Sequence, residues 1–337
     1  MTGDQVVLGM QDGRKAAALI RDGQLDDLLI DAPDGVPAPG AIFRAICDRP
    51  VKGQGGMFVR LGGGLTGFLR GAKGRAPGEA LLVQVSGHAE EGKAVPVTDR
   101  VLFRSRYCIA TPGAPGLNVA RAIREDAERD RVQEIAHDAL PGTRGEVGMI
   151  LRSACEGAAE DAIAGDVAAT WQVAQQVLGD AGTGPELLLD GPDAHEAAWR
   201  DWPGVDDVTE DWSVAADLID ALRGPEVRLG GTTLYIEPTR ALVAVDVNTS
   251  DASPAGGLRA NLAAARALPR HLRLRGLGGQ IVLDLAPMPK KDRKQWEAAM
   301  RGALKTCAVE TSLIGWTPLG HYELTRKRAR RPLGEIA

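Results

Sequence analysis

Two aspartates interrupt apolar runs in the last third of the sequence. In Leu242-Val243-Ala244-Val245-Asp246-Val247-Asn248, alternation with period two puts Asp246 and Asn248 on one face of a strand and the valines on the other. Gln280-Ile281-Val282-Leu283-Asp284-Leu285 repeats the anomaly near its C-terminal end. A carboxylate inside such a run is expensive to bury without a partner. Two carboxylates and an amide oxygen form a half-shell of hard donors, and Mg²⁺ suits such partial ligation, taking waters and phosphate oxygens for the rest. The alternative is that each aspartate bonds to a nearby turn. The stretch 258–275 between them carries Arg259, Arg266, Arg270, His271, Arg273 and Arg275 and no acid, charges expected to draw a polyanion to the metal.

The elements that must position these residues form a crossover. The patterning predicts a strand over 241–248, a helix over 258–275, a strand over 280–285 and a helix over 292–305. A glycine-containing return (Gly276, Gly278, Gly279) precedes the second strand. Strand, helix, strand makes the two strands parallel and brings Asp246 and Asp284 together at the edge where α/β sheets bind ligands. Strands at 227–229 and 232–236 flank the turn Gly230-Gly231.

Upstream, 1–36 reads as short strands turned at Asp12-Gly13 and Asp22-Gly23. Prolines 33, 37 and 39 mark a boundary. Short glycine-broken strands at 41–47, 56–61, 67–69 and 80–85 predict a small curved β-barrel. It carries Arg44, Arg49, Lys52, Arg60, Arg70, Lys73, Arg75 and Lys93, interleaved with Phe43, Phe58 and Phe68. Cations for phosphates beside rings for bases make a single-strand platform; the alternative for the rings is barrel core. Further on, a strand is expected at 101–109, a helix at 119–139, a strand at 147–151 leading into Arg152-Ser153-Ala154, a helix at 158–177 and a strand at 186–189. An acidic, tryptophan-bearing region with short helices follows at 190–226.

Composition bounds the rest. The 337 residues, 44% hydrophobic and 25% charged, suit two or three globular units. No apolar stretch is long enough for a membrane span. Charges at Asp4, Asp12, Arg14, Lys15 and Arg21 leave no signal-peptide core, so a cytoplasmic protein is expected. Cys47, Cys108, Cys155 and Cys307 form no CxxC pair, which argues against a zinc site and a disulfide framework. Net charge is −5, but the average hides an asymmetry. Residues 156–226 hold 17 acids against Arg200 and Arg223, whereas 241–337 hold 16 Lys/Arg against eight acids. A local cationic surface is therefore compatible with an acidic total.

The run Ala241 to Asn248, followed by Asn261-Leu262, Leu272-Arg-Leu-Arg-Gly-Leu-Gly-Gly279 and Ile281-Val-Leu-Asp284, resembles the catalytic core of the ribonuclease E/G family. Glu323-Leu-Thr-Arg-Lys-Arg328 and Leu333-Gly-Glu335 continue the match, which is collinear over nearly the whole chain. Phe58-Val59, Gly67-Phe68-Leu69 and Lys93 resemble the family's inserted RNA-binding barrel, and Arg152-Ser153-Ala154 its sensor of a 5′-monophosphate.

The resemblance implies an α/β (α+β) multi-subdomain fold with RNase H-like and DNase I-like subdomains and an inserted OB-type barrel. The boundaries it implies are 1–38 for the first part of the RNase H-like subdomain, 39–99 for the barrel and 100–178 for the sensor. Residues 179–226 would be the shortened, acidic remainder of the RNase H-like region, and 227–337 the DNase I-like subdomain. Asp246 and Asp284 would hold Mg²⁺, with Mn²⁺ as a substitute, and Asn248 would orient the site. Phe58, Phe68 and Lys93 would hold single-stranded RNA, and Arg152 and Ser153 a terminal phosphate. The implied activity is metal-dependent endoribonucleolytic hydrolysis leaving a 5′-phosphate and a 3′-hydroxyl.

The departures are specific. Family members continue into a CxxC segment that shares zinc between chains and into a small further domain. Neither is in these residues, so no zinc is expected and the assembly, a homodimer among the options, is left open. Pro287, Ala263 and Ala267 stand where the family has acids, and Pro318 where it has a base. The alternative reading is a weakened member that binds RNA or helps assemble a ribosomal or degradation complex, with acidic 156–226 facing a protein partner.

Overall fold

The computed structural model describes residues 3–335 except 52, 54, 73, 91, 141–144 and 206, so Lys52, Lys73 and Asp206 lie outside the described residues. The chain forms two compact units: Met1–Ile30 with Asp207–Ala337, and Asp31–Asp206.

The N-terminal strands are β1 (Asp4–Gln11), β2 (Arg14–Arg21) and β3 (Gln24–Ile30). Both two-residue turns have positive φ at each position, Asp12 and Gly13 at 50° and 76°, Asp22 and Gly23 at 47° and 74°. That is the geometry whose twist matches antiparallel strands and which Asp-Gly tolerates.

The Asp31–Asp206 unit begins with the barrel: β4 (Ile42–Val51), β5 (Gly56–Gly62), β6 (Leu65–Arg70), β7 (Ala80–Val85) and β8 (Val95–Thr98). The strands run β4-β5-β6-β8-β7, and β7 pairs back onto β4 to close the sheet. Phe43, Met57, Val59, Leu69, Val83 and Val97 fill its interior. The strand β8 between β6 and β7, only four residues and with a proline in it, was not among the strands expected from the sequence.

The expected strand at 101–109 is two short strands, β9 (Phe103–Arg104) and β10 (Cys108–Pro112), joined by a turn in which the Ser105 amide donates to the Cys108 carbonyl at 3.0 Å. The expected helix at 119–139 starts later. Leu117–Val119 is β11, and the helix α1 is Asp126–Ala139. β11 pairs in parallel with β12 (Val147–Leu151), which satisfies its backbone in a sheet. The helix α2 (Glu160–Leu178), β13 (Glu186–Leu189) and α3 (Ala194–Asp201) complete the unit. β13 adds to β4, and Arg44 holds the join. Buried Arg44 donates to Asp180 at 2.5 and 2.7 Å and also bonds Glu186 and the Gly184 carbonyl. Arg44, counted above among cations for phosphate, is therefore a structural tie.

The other unit resumes with β14 (Asp207–Thr209), which pairs in parallel with β1, and α4 (Ser213–Asp220), whose Ala215 and Ile219 pack on Val7, Ala18 and Leu28. Then come β15 (Glu226–Leu229), β16 (Thr232–Pro238), β17 (Val243–Thr249), α5 (Pro254–Leu274), β18 (Gly279–Asp284), α6 (Arg293–Lys305), β19 (Thr311–Trp316) and β20 (Tyr322–Arg326). The six strands order β15-β16-β17-β18-β20-β19, and β17 and β18 are parallel across the α5 crossover. Val243, Val245, Val247, Ile281 and Leu283 pack in one core with Ala264, Leu268, Trp296 and Met300 from the two helices. One face of this sheet is thus covered by α5 and α6, and the other carries the polar residues.

Candidate active site

The parallel pairing sets Asp246 directly opposite Asp284. Neighbouring strands lie about 4.8 Å apart, so both carboxylates leave the sheet side by side. Alternation delivers them to the uncovered face: Val245 and Val247 are buried, whereas Asp246 and Asn248 are exposed. Asp284 is likewise open, its side chain 70% exposed. The expected penalty for carboxylates within the strands therefore does not arise, because the sheet presents them to solvent.

The Asn248 Nδ2 donates to Asp246 Oδ2 at 2.7 Å. That bond fixes one carboxylate oxygen and leaves the Asn248 amide oxygen available on the same face. His321 Nε2 stands 3.7 Å from Asp284 Oδ1. A tight turn presents it, with the Thr317 amide donating to the His321 carbonyl at 2.8 Å. Glu323, opposite Val282, adds an acid to the same open face, and Tyr235 lies opposite Asp246. His321 and Glu323 escaped the sequence reading as site residues. Their signal was position alone: His321 immediately precedes the strand Tyr-Glu-Leu-Thr-Arg, and the turn that carries Pro318 supplies it.

The loop after Asp284 is pinned from behind. Asn261, fully buried in α5, donates to the Ala286 carbonyl at 2.8 Å and accepts from the Ala286 amide at 3.0 Å. The Trp296 indole donates to the Asn261 carbonyl at 3.1 Å. A side chain at Gly257 would collide with the Pro287 carbonyl, so the first turn of α5 reaches this loop only through glycine. Ser253 caps that helix, accepting from the Gly256 amide at 3.0 Å. Asp251 before it is held below the usual carboxylate range by hydrogen bonding to Ser253 and then by Arg259.

The cationic character expected of α5 is mostly spent inside the unit. Arg273 and Arg275 are buried, Arg273 pairing with Asp26 at 3.0 Å and Asp27 at 3.3 Å. Arg275 donates to His271 Nδ1 at 3.0 Å, Arg270 to Gln24 at 2.6 Å, and Arg259 to Asp251. The helix also packs against the face of the sheet opposite the carboxylates. Arg270 and Arg273 attach α5 to the N-terminal strands, while Arg259 and Arg275 bond Asp251, His271 and the Gly224 carbonyl.

As a donor set, two exposed carboxylates with one amide oxygen fit an ion that binds through one or two carboxylates and keeps its waters, as Mg²⁺ does. Among the described residues, no three or more His, Cys, Asp or Glu side chains converge as a metal cluster.

The remaining expected residues lie in the Asp31–Asp206 unit. Phe58 and Phe68 face each other across β5 and β6, ring centroids 5.6 Å apart and edge to face. Both are half-buried on the outer face, while Phe43 takes the core. The Arg49 guanidinium lies 5.6 Å from the Phe58 centroid, and Arg60 and Arg70 are exposed on the same strands. Lys93, just before β8, pairs with Glu90 at 2.7 Å. Arg152 does not present a free guanidinium. It donates to the Ser105 and Arg200 carbonyls at 2.5 and 3.0 Å and to Asp201 at 3.1 Å. Ser153 is exposed at the start of a 3-10 turn, Ser153–Cys155.

Comparison with known proteins gives this arrangement its context. Ribonuclease G of Salmonella typhimurium (strain SL1344) is 28% identical over 305 residues, covering 77% of this chain and 62% of that protein. Ribonuclease E of Nostoc sp. (strain PCC 7120) is 26% identical over 398 residues, 98% of this chain and 57% of the relative. Ribonuclease E of Escherichia coli (strain K12) is 23% identical over 386 residues, 94% of this chain and 36% of the relative. The chain thus spans less than two thirds of the length of these relatives. The sequence model of the Ribonuclease E/G family matches residues 103–213 and 204–329, which takes in Arg152 and the whole carboxylate face. With that match over most of its length, the chain belongs to the ribonuclease E/G family.

Proposed function

We propose that the protein is a divalent-metal-dependent endoribonuclease that hydrolyses phosphodiester bonds of single-stranded RNA, leaving a 5′-phosphate and a 3′-hydroxyl. The observation that carries this reading is the register that sets Asp246 beside Asp284 on an open face, with Asn248 bonded to Asp246. Asp246 and Asp284 would hold Mg²⁺ or Mn²⁺. Such an ion supplies a nucleophilic water at neutral pH and offsets phosphoryl charge. Asn248 fixes the orientation of Asp246, and Asn261 fixes the backbone that follows Asp284. His321 stands where it can take or give a proton beside Asp284.

Phe58 and Phe68, with Arg49, Arg60 and Arg70 around them, supply rings for bases and cations for phosphates. Lys93 belongs to the same barrel and would add a further charge. In this reading residues 227–337 are the DNase I-like subdomain, 1–38 and 179–226 the RNase H-like one, and 39–99 the OB-type barrel. Residues 100–178 are the sensor region, and the protein acts in the cytoplasm, on its own or as a homodimer.

The test is cleavage of a labelled single-stranded RNA with Mg²⁺ and with EDTA, comparing wild type with Asp246→Asn and Asp284→Asn. Cutting that requires Mg²⁺ and vanishes in both variants is the expected result. A weakened member that binds without cutting is the second reading, favoured by the small donor set and by proline at 287. It is correct if wild type binds the RNA and leaves it whole in Mg²⁺.

A further inference from the structure

Trp199 is 65% exposed, in a chain where Trp202 and Trp296 are buried. It sits in the last turn of α3, and the Arg106 guanidinium lies 3.8 Å from its ring centroid. Arg106 is fixed there by its bond to the Trp199 carbonyl at 2.5 Å and lies 5.8 Å from the Tyr107 ring. One face of the indole is thus backed by a cation, and the exposure leaves the other face to solvent. The helix end explains the arrangement. Arg106 and Arg152 donate to the Trp199 and Arg200 carbonyls, groups that lack partners within a helix.

The charge around this ring does not balance. Asp201 accepts from Arg200 at 2.7 and 3.0 Å and from Arg152 at 3.1 Å. Burial, the largest influence on the Asp201 carboxyl, would raise it, but Arg200 and Arg152 outweigh burial and hold it ionised. The Arg104 guanidinium on β9 is held below its ordinary value first by partial burial and then by Arg200 and Arg152, against the opposing pull of that same Asp201 carboxylate. Three guanidinium groups, those of Arg104, Arg152 and Arg200, therefore share one carboxylate, and the Arg104 side chain has no hydrogen bond or ion pair among the described residues.

We infer that Trp199, backed by Arg106, is a stacking platform for a base of single-stranded RNA, with Arg104 and the Arg200 edge receiving the adjoining phosphate. An indole face stacks any base, and surplus arginine beside it favours an anion over an apolar peptide. This would be a second RNA contact, separate in sequence from the Phe58–Phe68 pair, and it rests on the reading that the protein binds single-stranded RNA.

The test is equilibrium binding of a fluorescent single-stranded oligoribonucleotide in EDTA, with 5′-monophosphate and 5′-hydroxyl forms in separate arms. Trp199→Ala should weaken binding about tenfold, the loss of one stacked base, and Trp199→Phe should restore most of it. Arg104→Ala should lower the salt dependence of log Kd by about one phosphate contact. A loss equal in both arms assigns the platform to an internal nucleotide, and a loss confined to the 5′-monophosphate arm assigns it to the terminal one; both support the inference. Wild-type binding that Trp199→Ala leaves unchanged overturns it while leaving the endoribonuclease reading intact. So does a concentration-dependent dimer that Trp199→Ala dissociates without changing RNA affinity, since the ring then faces a second copy. Cleavage in Mg²⁺ by the Asp246 and Asp284 variants reports on the endoribonuclease reading independently.

Discussion

At the scale of single residues, the site depends on two amides more than on its carboxylates' surroundings. Asn248 takes one lone pair of Asp246 and so selects which oxygen faces a ligand. Partners that orient a metal ligand typically contribute 10–100-fold to affinity or activity. Asn248→Ala should therefore lower cleavage by about that factor and raise the Mg²⁺ concentration for half-maximal rate, with the melting temperature unchanged. Asn261 acts from inside. Replacing it with Leu leaves the Ala286 amide and carbonyl buried without partners, a loss of about 1–3 kcal/mol per group. Asn261→Leu should lower the urea midpoint and also reduce cleavage. A drop in stability without any change in cleavage at a temperature where it is folded would remove Asn261 from the positioning of Asp284.

At the scale of elements, α5 is the beam between the carboxylate edge and the N-terminal strands. Arg273 anchors it to Asp26 and to Asp27, which is 5% exposed and also meets Arg330 at 3.3 Å. Removing one partner of a buried pair costs about 3–5 kcal/mol. Arg273→Met should approach the lower end, because Arg330 remains, and chemical denaturation measures it. His271 on the same helix is 8% exposed, and burial, with Arg275 and Arg270 nearby, pushes its pKa down from 6.5 to about 3. The unfolded chain binds a proton at this ring below pH 6.5, while the folded chain does so only near 3. Its contribution therefore destabilises the fold progressively as pH falls from 6.5 towards 3, with a slope approaching ~1.4 kcal/mol per pH unit. His271→Asn, which keeps an acceptor for Arg275, should flatten that part of the stability profile. Parallel profiles for wild type and variant would show that the ring charges in both states.

At the scale of the whole molecule, the four buried core clusters among the described residues each fall within one unit, two in Asp31–Asp206 and two in the other. A stretch with its own cores and a closed barrel should fold alone. Residues 31–206 expressed separately are expected to unfold cooperatively and to bind single-stranded RNA without divalent metal. Phe58→Ala with Phe68→Ala should weaken that binding about tenfold or more, measured by anisotropy. Binding undiminished by both substitutions would assign the rings to packing.

How much was legible follows from how far apart the interacting residues are. The hairpins turned at Asp12-Gly13 and Asp22-Gly23 and the exposed face of Asp246 and Asn248 are set by turn chemistry and by period-two alternation, which act within a few residues. The crossover that faces Asp246 with Asp284 also follows locally, because strand, helix, strand leaves one chirality and one direction. The early start of the expected helix at 119 failed for a long-range reason: β12, some 30 residues on, claims Leu117–Val119 as a strand. The fates of the arginines were equally invisible, since charge counts do not say who stands opposite. Arg44 and Arg273 looked like cations for phosphate, and tertiary contacts turned them into ties to Asp180 and to Asp26, while Arg152 is found bonded to a helix end. By itself the sequence determined the family pattern, the parallel pair and the carboxylates, because covalent neighbours and periodicity carry them. Only the tertiary structure decided which cations stay available to an anion, because each carboxylate or carbonyl that neutralises one lies on a distant segment brought in by folding.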